Sequence, residues 1–581
     1  MKQSLRTLGP YLWRYRRGVA LGFGALLLKD ILAAMVPFFL GRGVDAMQAG
    51  AFNLAAVLWI AAAIVGFAAA KGLFQYWMRV ILIGVSRDIE FDLRNDFFRR
   101  LTELDSGFYG RTRTGDIMAR ATNDLNAVRM MLGPGLMYSL ETVFTFLIVT
   151  SIMLYADWRL TLAALLPTPL ISISVSYFGR LIHTRFERIQ KIFSDISSRV
   201  QENIAGVRVV RAYVQEEAEL DQFKRLNKDY IGENIRLARL TGAFMPVLQS
   251  LVGITMLIVL WAGGAQLLAG RISLGQFVMF NTYMGMLVWP MIAFGWVVNL
   301  VQRGTASLDR IHSILAEEPS IAEPPSPRPL PDPLRGEIEF RGVVVQHPAG
   351  KALDGIDLRI PAGATVAIVG HTGSGKTSLV QLIPRLMDAS EGSVLLDGND
   401  VREYSPGALR RQIGFVPQET ILFSTTLGEN IAFGVDAASE VEIRRAAELA
   451  GLGPDLESFP DGLNTMIGER GITLSGGQKQ RAAIARAILR NPRILILDDA
   501  LSSVDTVTED RILSGLAALM KNRTTILISH RVSTVRNADR IFVIERGRLA
   551  EEGTHESLLA LGGYYADLHQ KQLLEEELEA I

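Results

Sequence analysis

Long apolar runs crowd the part of this chain before about residue 305, and little after that point resembles them. The clearest runs are 18–40, 54–78, 137–155, 160–178, 246–267 and 274–301. Each is close to the roughly 20 residues that a helix needs to cross a bilayer. The first follows Lys2, Arg6, Arg14, Arg16 and Arg17. It is longer than the roughly 7–15-residue core of a signal peptide, so it reads as an uncleaved span with its N-terminus in the cytoplasm. Short, weakly charged connections follow spans one, three and five. Long ones follow spans two and four. The first long one carries Arg87, Arg94, Arg99, Arg100, Arg111, Arg113 and Arg120. The second carries Arg180, Arg185, Arg188, Lys191, Arg208, Arg211, Lys224, Arg225 and Lys228. Positive charge keeps both in the cytoplasm, and loop parity agrees.

Both long segments read as helical extensions of the spans. Each has one break, at Arg113-Thr114-Gly115-Asp116 and at Asn203-Ile204-Ala205-Gly206-Val207-Arg208. They are solvated helix ends or a pair of cytoplasmic arms with tips that touch a soluble domain. Lys29, Asp30, Lys71, Arg79 and Glu141 fall in or near spans. Charge in a bilayer is costly, so these are structural ion pairs, snorkelling ends or cavity-lining groups.

A proline-rich stretch, 317–335, separates this half from the rest and reads as a semi-rigid connector. Beyond it, Gly370-His371-Thr372-Gly373-Ser374-Gly375-Lys376-Thr377 has the spacing G-x-x-x-x-G-K-[ST]. The residues before it, Thr365–Val369, suit a buried strand, and Ser378-Leu379-Val380-Gln381-Leu382-Ile383 suit a helix. Strand, loop and helix in that order cradle a polyphosphate on backbone N–H groups. Lys376 would reach the β- and γ-phosphates, and the Thr377 hydroxyl would hold Mg²⁺.

More acids and amides follow in order. Gln418 would sense Mg²⁺ and water. Asp498 and Asp499 end the apolar run Ile494-Leu495-Ile496-Leu497. Asp498 would orient the Mg²⁺ shell, and Asp499 would polarise the attacking water. His530 follows a second apolar strand and would hydrogen-bond the γ-phosphate. Leu474-Ser475-Gly476-Gly477-Gln478 opens a helix whose hydroxyl and N–H groups make a second anion site. Two chains packed head to tail need such a second site, each completing the other's.

The ordered set resembles an ABC transporter, and more narrowly an exporter-type half-transporter. The resemblance covers almost the whole chain. It implies a six-helix membrane domain with long cytoplasmic arms in 1–316, a linker in 317–335, an α/β P-loop ATPase domain in 336–570 and an acidic tail in 571–581. Residues 474–478 match the signature in full, Gln418 the Q-loop, Asp498 the Walker B aspartate, Asp505 the D-loop and His530 the switch histidine. Glu469-Arg470-Gly471 resembles the segment that contacts the arms, and the breaks near Gly115 and Gly206 sit where the family has coupling helices.

Two positions depart from the family pattern. Asp499 stands where glutamate is usual, and His347 stands where an aromatic residue usually precedes the first Pro of the adenine-stacking loop. Aspartate is one methylene shorter, which sets its carboxylate back by roughly 1 Å and costs on the order of 100-fold in rate. Both changes lie on the Walker face, while the signature is intact. That asymmetry is similar to the MdlA-like or TmrA-like subunits of heterodimeric multidrug and lipid exporters. The resemblance implies ATP and Mg²⁺ as cofactors, a second half-transporter and the lipid bilayer as partners, and a hydrophobic or amphipathic drug, lipid or peptide as substrate. A homodimer with two slow sites is the alternative, as is a regulatory subunit that mainly binds ATP. Net charge is zero, so nothing points to nucleic acid. The chain has no cysteine, which excludes disulfides and thiolate zinc sites.

Overall fold

The computed structural model describes residues 2–48, 54–347, 350–468 and 474–579. The segment Glu469-Arg470-Gly471 lies outside them, as does Pro348. The chain divides into two compact units. One comprises Met1–Glu103 and Thr112–Glu317, and the other comprises Leu104–Arg111 and Glu318–Ile581.

The first unit is all helix. Among the described residues, six helices are long and apolar enough to cross a membrane: Arg16–Gln48, Leu54–Glu103, Thr114–Ala156, Trp158–Ala205, Glu216–Leu268 and Leu274–Leu315. All six expected spans fall inside them. The helix Leu54–Glu103 runs for 50 residues and Glu216–Leu268 for 53, so the long basic connections do continue the spans. Charge lies inside this unit as a buried cluster. The Lys29 ammonium sits 2.8 Å from Asp30 Oδ1 and donates to Glu141 Oε1 at 2.5 Å. Among the readings open from the sequence, this geometry is the structural ion pair. Glu141 joins it rather than snorkelling alone.

The second arm breaks at Gly206, between the helices Thr168–Ala205 and Val207–Ala212, where it was expected. The first arm differs. Its short helix is Ser106–Arg111, just before the expected break, and a new helix starts at Thr114 with Arg113 extended at its N-cap. The segment Leu104–Arg111 packs as part of the second unit. There Asp105 Oδ1 caps the short helix by accepting from Gly107 N at 2.7 Å and Phe108 N at 3.2 Å. Its other oxygen accepts from Ser320 Oγ at 2.5 Å. The Ser106 hydroxyl donates to the Leu386 carbonyl at 3.1 Å.

The second unit holds two sheets. An antiparallel sheet has the order β2-β1-β4-β5, with β1 Ile338–His347, β2 Gly350–Ile360, β4 Glu391–Leu396 and β5 Asn399–Asp400. A mixed sheet has the order β10-β9-β3-β8-β7-β6. Its strands are β3 Thr365–Val369, β6 Ile413–Val416, β7 Ile494–Asp498, β8 Thr524–Ile528, β9 Arg540–Glu545 and β10 Arg548–Gly553. From β9 to β6 all neighbours run parallel, and β10 alone is antiparallel. Parallel strands covered on both faces read as continuous apolar runs, which is how β3, β7 and β8 appear in the sequence. β7 and β8 are buried at every position.

The proline-rich connector is tied down along its length. The Arg328 N–H donates to the Glu403 carbonyl at 2.9 Å, and Asp397 accepts from the N–H groups of Arg335, Gly336 and Glu337. A connector without helix or strand satisfies its backbone through such side chains.

A phosphate-binding site at the strand ends

Gln418, the P-loop, Asp498 and His530 all leave the carboxyl ends of neighbouring parallel strands. These are β6, β3, β7 and β8 in turn. In open α/β sheets ligands bind at that edge. The residues converge there because the sheet brings together strand ends that lie far apart in sequence.

The P-loop needs its glycines at two tight points. At Gly370 the backbone takes φ +154°, and an added Cβ would lie 2.2 Å from the Ile544 carbonyl oxygen. At Gly375 φ is +103°, and a Cβ would lie 2.4 Å from the Ala352 carbonyl. Only glycine fits either place. The helix that follows is Lys376–Gln381, two residues N-terminal of the expected stretch, and Pro384 blocks its continuation.

The loop's second half, Thr372, Gly373 and Gly375 through Ser378, bounds a cavity of about 190 Å³. Gln418, Asp498 and His530 complete the same cavity. Lys376 lies under the loop, its ammonium donating to the Gly370 and His371 carbonyls at 2.8 Å each. Thr377 Oγ1 donates to Asp498 Oδ1 at 3.3 Å. Two further oxygens, Ser374 Oγ and Asp498 Oδ2, are buried without a hydrogen-bond partner. Such orphaned atoms normally have a ligand or water. A hydroxyl, a carboxylate and a side-chain amide around one cavity are the hard oxygen donors that suit Mg²⁺ shared with phosphates. The residues present fit a polyphosphate with its cation.

Electrostatics support this use. Burial holds the Lys376 ammonium below its usual range, while Asp498 and Asp499 pull it back up. Burial pushes the Asp498 carboxyl up, opposed by the Thr377 hydrogen bond and raised again by neighbouring Asp499. His530 is pushed down by burial first and by Lys376 next, so its ring stays neutral at pH 7.

Asp499 is in the left-handed region, with φ +51°, and its N–H donates to the Ile528 carbonyl at 3.0 Å. It is half-buried beside the cavity without being one of its lining residues. His347 ends β1, exposed and away from the cavity lining. Asp505 caps the helix Thr506–Met520 by accepting from Thr508 N at 2.9 Å.

The signature forms a separate feature. Ser475 caps the helix Gly476–Leu489 in a reciprocal capping box with Gln478. Gln478 Nε2 also donates to Asp455 Oδ1 at 2.8 Å. No residue from 474–478 lines the P-loop cavity of its own chain, among the described residues.

One residue that sequence reasoning missed is Gln480, which is 5% exposed. Its Oε1 accepts from Ser503 N at 3.0 Å and its Nε2 donates to Ser502 Oγ at 2.9 Å. It thus ties the signature helix to the turn after Asp499. The only signal in the sequence is a second glutamine two positions after Gln478, and that carries no contact information.

A helical unit with six span-length helices, joined in one chain to a P-loop unit with an intact signature, defines the class: this is an ABC transporter with membrane and ATPase domains in one polypeptide. Residues 19–291 match the ABC transporter transmembrane region and 353–502 match the ABC transporter family. The chain belongs to this family and is of the exporter type. It is 38% identical over 577 residues to the probable multidrug resistance ABC transporter ATP-binding/permease protein YheI of Bacillus subtilis, covering 99% of this chain and 98% of the relative. It is 35% identical over 584 residues to the multidrug resistance-like ATP-binding protein MdlA of Escherichia coli, at 99% and 98% coverage. Among solved structures, a bacterial Atm1-family ABC exporter with ATP bound matches at a TM-score of 0.80 and 29% identity, covering 96% of this chain and 99% of that one.

Proposed function

We propose that this chain uses ATP to export hydrophobic or amphipathic molecules (drugs, lipids or peptides) across a bacterial inner membrane, as one subunit of an asymmetric heterodimer. The names of YheI and MdlA support the substrate class. The basic arms, which the positive-inside rule assigns to the cytoplasm, support an ATPase domain on that side.

The observation that carries the asymmetry is the contrast between Asp499 and the signature. Asp499 is the short acid beside the cation-holding Asp498. The signature from Ser475 to Gln478 is complete, correctly capped and absent from its own chain's P-loop cavity. A complete signature that does not serve its own chain serves another.

In this reading the P-loop N–H groups and Lys376 grip the β- and γ-phosphates, and His347 lies against the adenine. Thr377, Gln418 and Asp498 would hold Mg²⁺, which would neutralise charge on the phosphates. Asp499 orients the attacking water and takes up its proton from a carboxylate about 1 Å too far back, so hydrolysis is slow. His530 donates a hydrogen bond to the γ-phosphate from a neutral ring. Asp505 and the partner's signature face complete the interface. ATP binding closes the two ATPase domains, the arms carry that closure to the spans, and hydrolysis resets it.

The test is ATP turnover in lipid by this chain alone, then with a second half-transporter, each beside Asp499→Glu. Near-zero activity alone that the second chain restores establishes the asymmetric pair. Brisk turnover by the chain alone overturns it and points to a homodimer in which Asp499 suffices.

A further inference from the structure

The C-terminal helix, Tyr564–Glu579, touches both loops assigned above to ATP. Gln572 Oε1 accepts from Val532 N at 2.7 Å, and Gln572 Nε2 donates to the His530 carbonyl. The partners fix the amide orientation, because an N–H must face the oxygen and a carbonyl the nitrogen. One side chain therefore closes across the short turn that carries the His530 ring.

About two turns earlier on the same helix, the Tyr564 ring meets His371 edge-on, with centroids 4.6 Å apart and planes at 64°. His371 is the second residue of the P-loop. The two contacts are roughly 12 Å apart along the helix axis.

The start of this helix is firmly anchored. The N–H groups of Tyr564 and Tyr565 donate to Glu551 at 2.5 and 3.3 Å. Tyr565 is fully buried and its hydroxyl pairs with His555 Nδ1 at 2.8 Å. It packs in one apolar cluster with Val532, Val535 and Leu558. Val532 and Val535 belong to the helical turn that follows His530. The helix and the switch loop thus share a core as well as hydrogen bonds.

We propose that this helix is a brace that holds the P-loop and the switch histidine in one geometry, with Gln572 and Tyr564 as positioning residues for ATP hydrolysis. The proposal rests on the reading of His530 and the P-loop given above. Neither residue lines the P-loop cavity. Gln572 acts through the backbone at His530, and Tyr564 acts through the His371 ring. The chemistry predicts a division of labour. His530 contributes where charge develops on the γ-phosphate, so loosening its loop lowers kcat. His371 sits in the loop that grips the phosphates in the ground state, so loosening it raises KM. A loop released by a single lost tether misplaces its side chain by about 1 Å, and that is worth on the order of 10- to 100-fold.

The experiment measures the slow phosphate release from labelled ATP at this chain's own P-loop, by the full chain in lipid; any second half-transporter present carries a substituted P-loop lysine that silences its own site. The variants are Gln572→Ala, Gln572→Glu, Tyr564→Ala and Tyr564→Phe, with His530→Ala as control and thermal midpoints for all. Gln572→Ala lowers kcat about 10-fold or more with KM and Tm nearly unchanged. Gln572→Glu still accepts from Val532 N but sets a carboxylate oxygen against the His530 carbonyl. Its activity relative to the parent chain rises as pH falls toward the glutamate range of roughly 4–5, where the acid form again donates. Tyr564→Ala raises KM several-fold, and Tyr564→Phe keeps the ring contact and the parent values. A fully active Gln572→Ala beside an inactive His530→Ala overturns the brace alone. So does a parallel fall of kcat, ATP affinity and Tm in Gln572→Ala, which marks a merely structural helix. Unchanged hydrolysis by His530→Ala overturns the reading of the site, and the brace with it.

Discussion

The Thr377 hydroxyl faces the Asp498 carboxylate across 3.3 Å, and the second oxygen of that carboxylate is buried without a partner. Two acceptors on one acid, one engaged and one free, leave a position for a cation between the P-loop and the end of β7. Asp498→Asn keeps the volume and removes the charge. Hydrolysis at this chain's own P-loop then falls about 100- to 1,000-fold, as when a preorganised electrostatic contact is lost. The Mg²⁺ concentration for half-maximal turnover rises, while ATP binding without Mg²⁺ stays near the parent value. Turnover titrated with Mg²⁺ checks this, and a parent-like Mg²⁺ curve would sink the assignment.

Asp499 presents the opposite case: the position proposed to polarise the attacking water is held by a residue that suits its backbone. At φ +51° aspartate is tolerated better than most side chains. Asp499→Glu therefore gains reach for the carboxylate at a small cost in backbone preference. Turnover at this chain's own P-loop rises by up to about 100-fold. The thermal midpoint drops by a few degrees at most. If the substitution leaves ATP turnover and transport of the pair unaltered, the short acid is not what slows the site.

Local pattern made much of this legible. β3 runs from Thr365 to Val369 as expected, because a buried parallel strand needs an unbroken apolar run. Asp498 could be placed at a strand end for the same reason. The spans were legible because a bilayer enforces length. Contacts between distant positions were not. Gln480 and Gln572 look like surface residues, and nothing near Gln572 signals a hydrogen bond to the His530 carbonyl. The residues from 571 on read as a solvated tail, yet Gln572 is half-buried against the switch loop. Asp105 follows the second span and Ser320 the sixth, and only folding shows that they meet. The first arm breaks at Arg113, within the expected stretch, but it also turns at Asp105, where a side chain caps the short helix Ser106–Arg111, and no glycine or proline stands at the turn itself, Leu104-Asp105.

Lys29 holds together two carboxylates within an apolar bundle. Asp30 is 4% exposed, and Glu141 lies on the neighbouring span helix. Lys29→Leu removes the shared cation and leaves two acids facing each other. Breaking a buried pair in this way costs about 3–5 kcal/mol. Replacing all three with Leu, Asn and Gln removes the uncompensated charge and recovers most of the loss. Thermal unfolding in detergent, compared between single and triple variants, checks this. A triple variant no more stable than Lys29→Leu would mean that the cluster does more than balance its own charge.

Asp105 offers a pH-dependent test of how the short helix Ser106–Arg111 is held. Burial alone would raise its carboxyl, but hydrogen bonds from Ser320, Gly107 and Phe108 outweigh that and hold it below its ordinary 3.8. A carboxyl depressed in the folded state stabilises fully above its unfolded value and loses that contribution as pH falls through the folded one. Protection of the Gly107 and Phe108 amides from hydrogen exchange is therefore constant from neutral pH down to about 5 and drops below about 4. Asp105→Ala removes the cap at every pH and costs about 1 kcal/mol locally, roughly a fivefold loss of protection. Asp105→Asn keeps a capping oxygen but cannot titrate, so it retains most of the protection at pH 7 and loses the acid step. An acid step that persists in Asp105→Asn would assign the titration to another group and leave the cap without its charge.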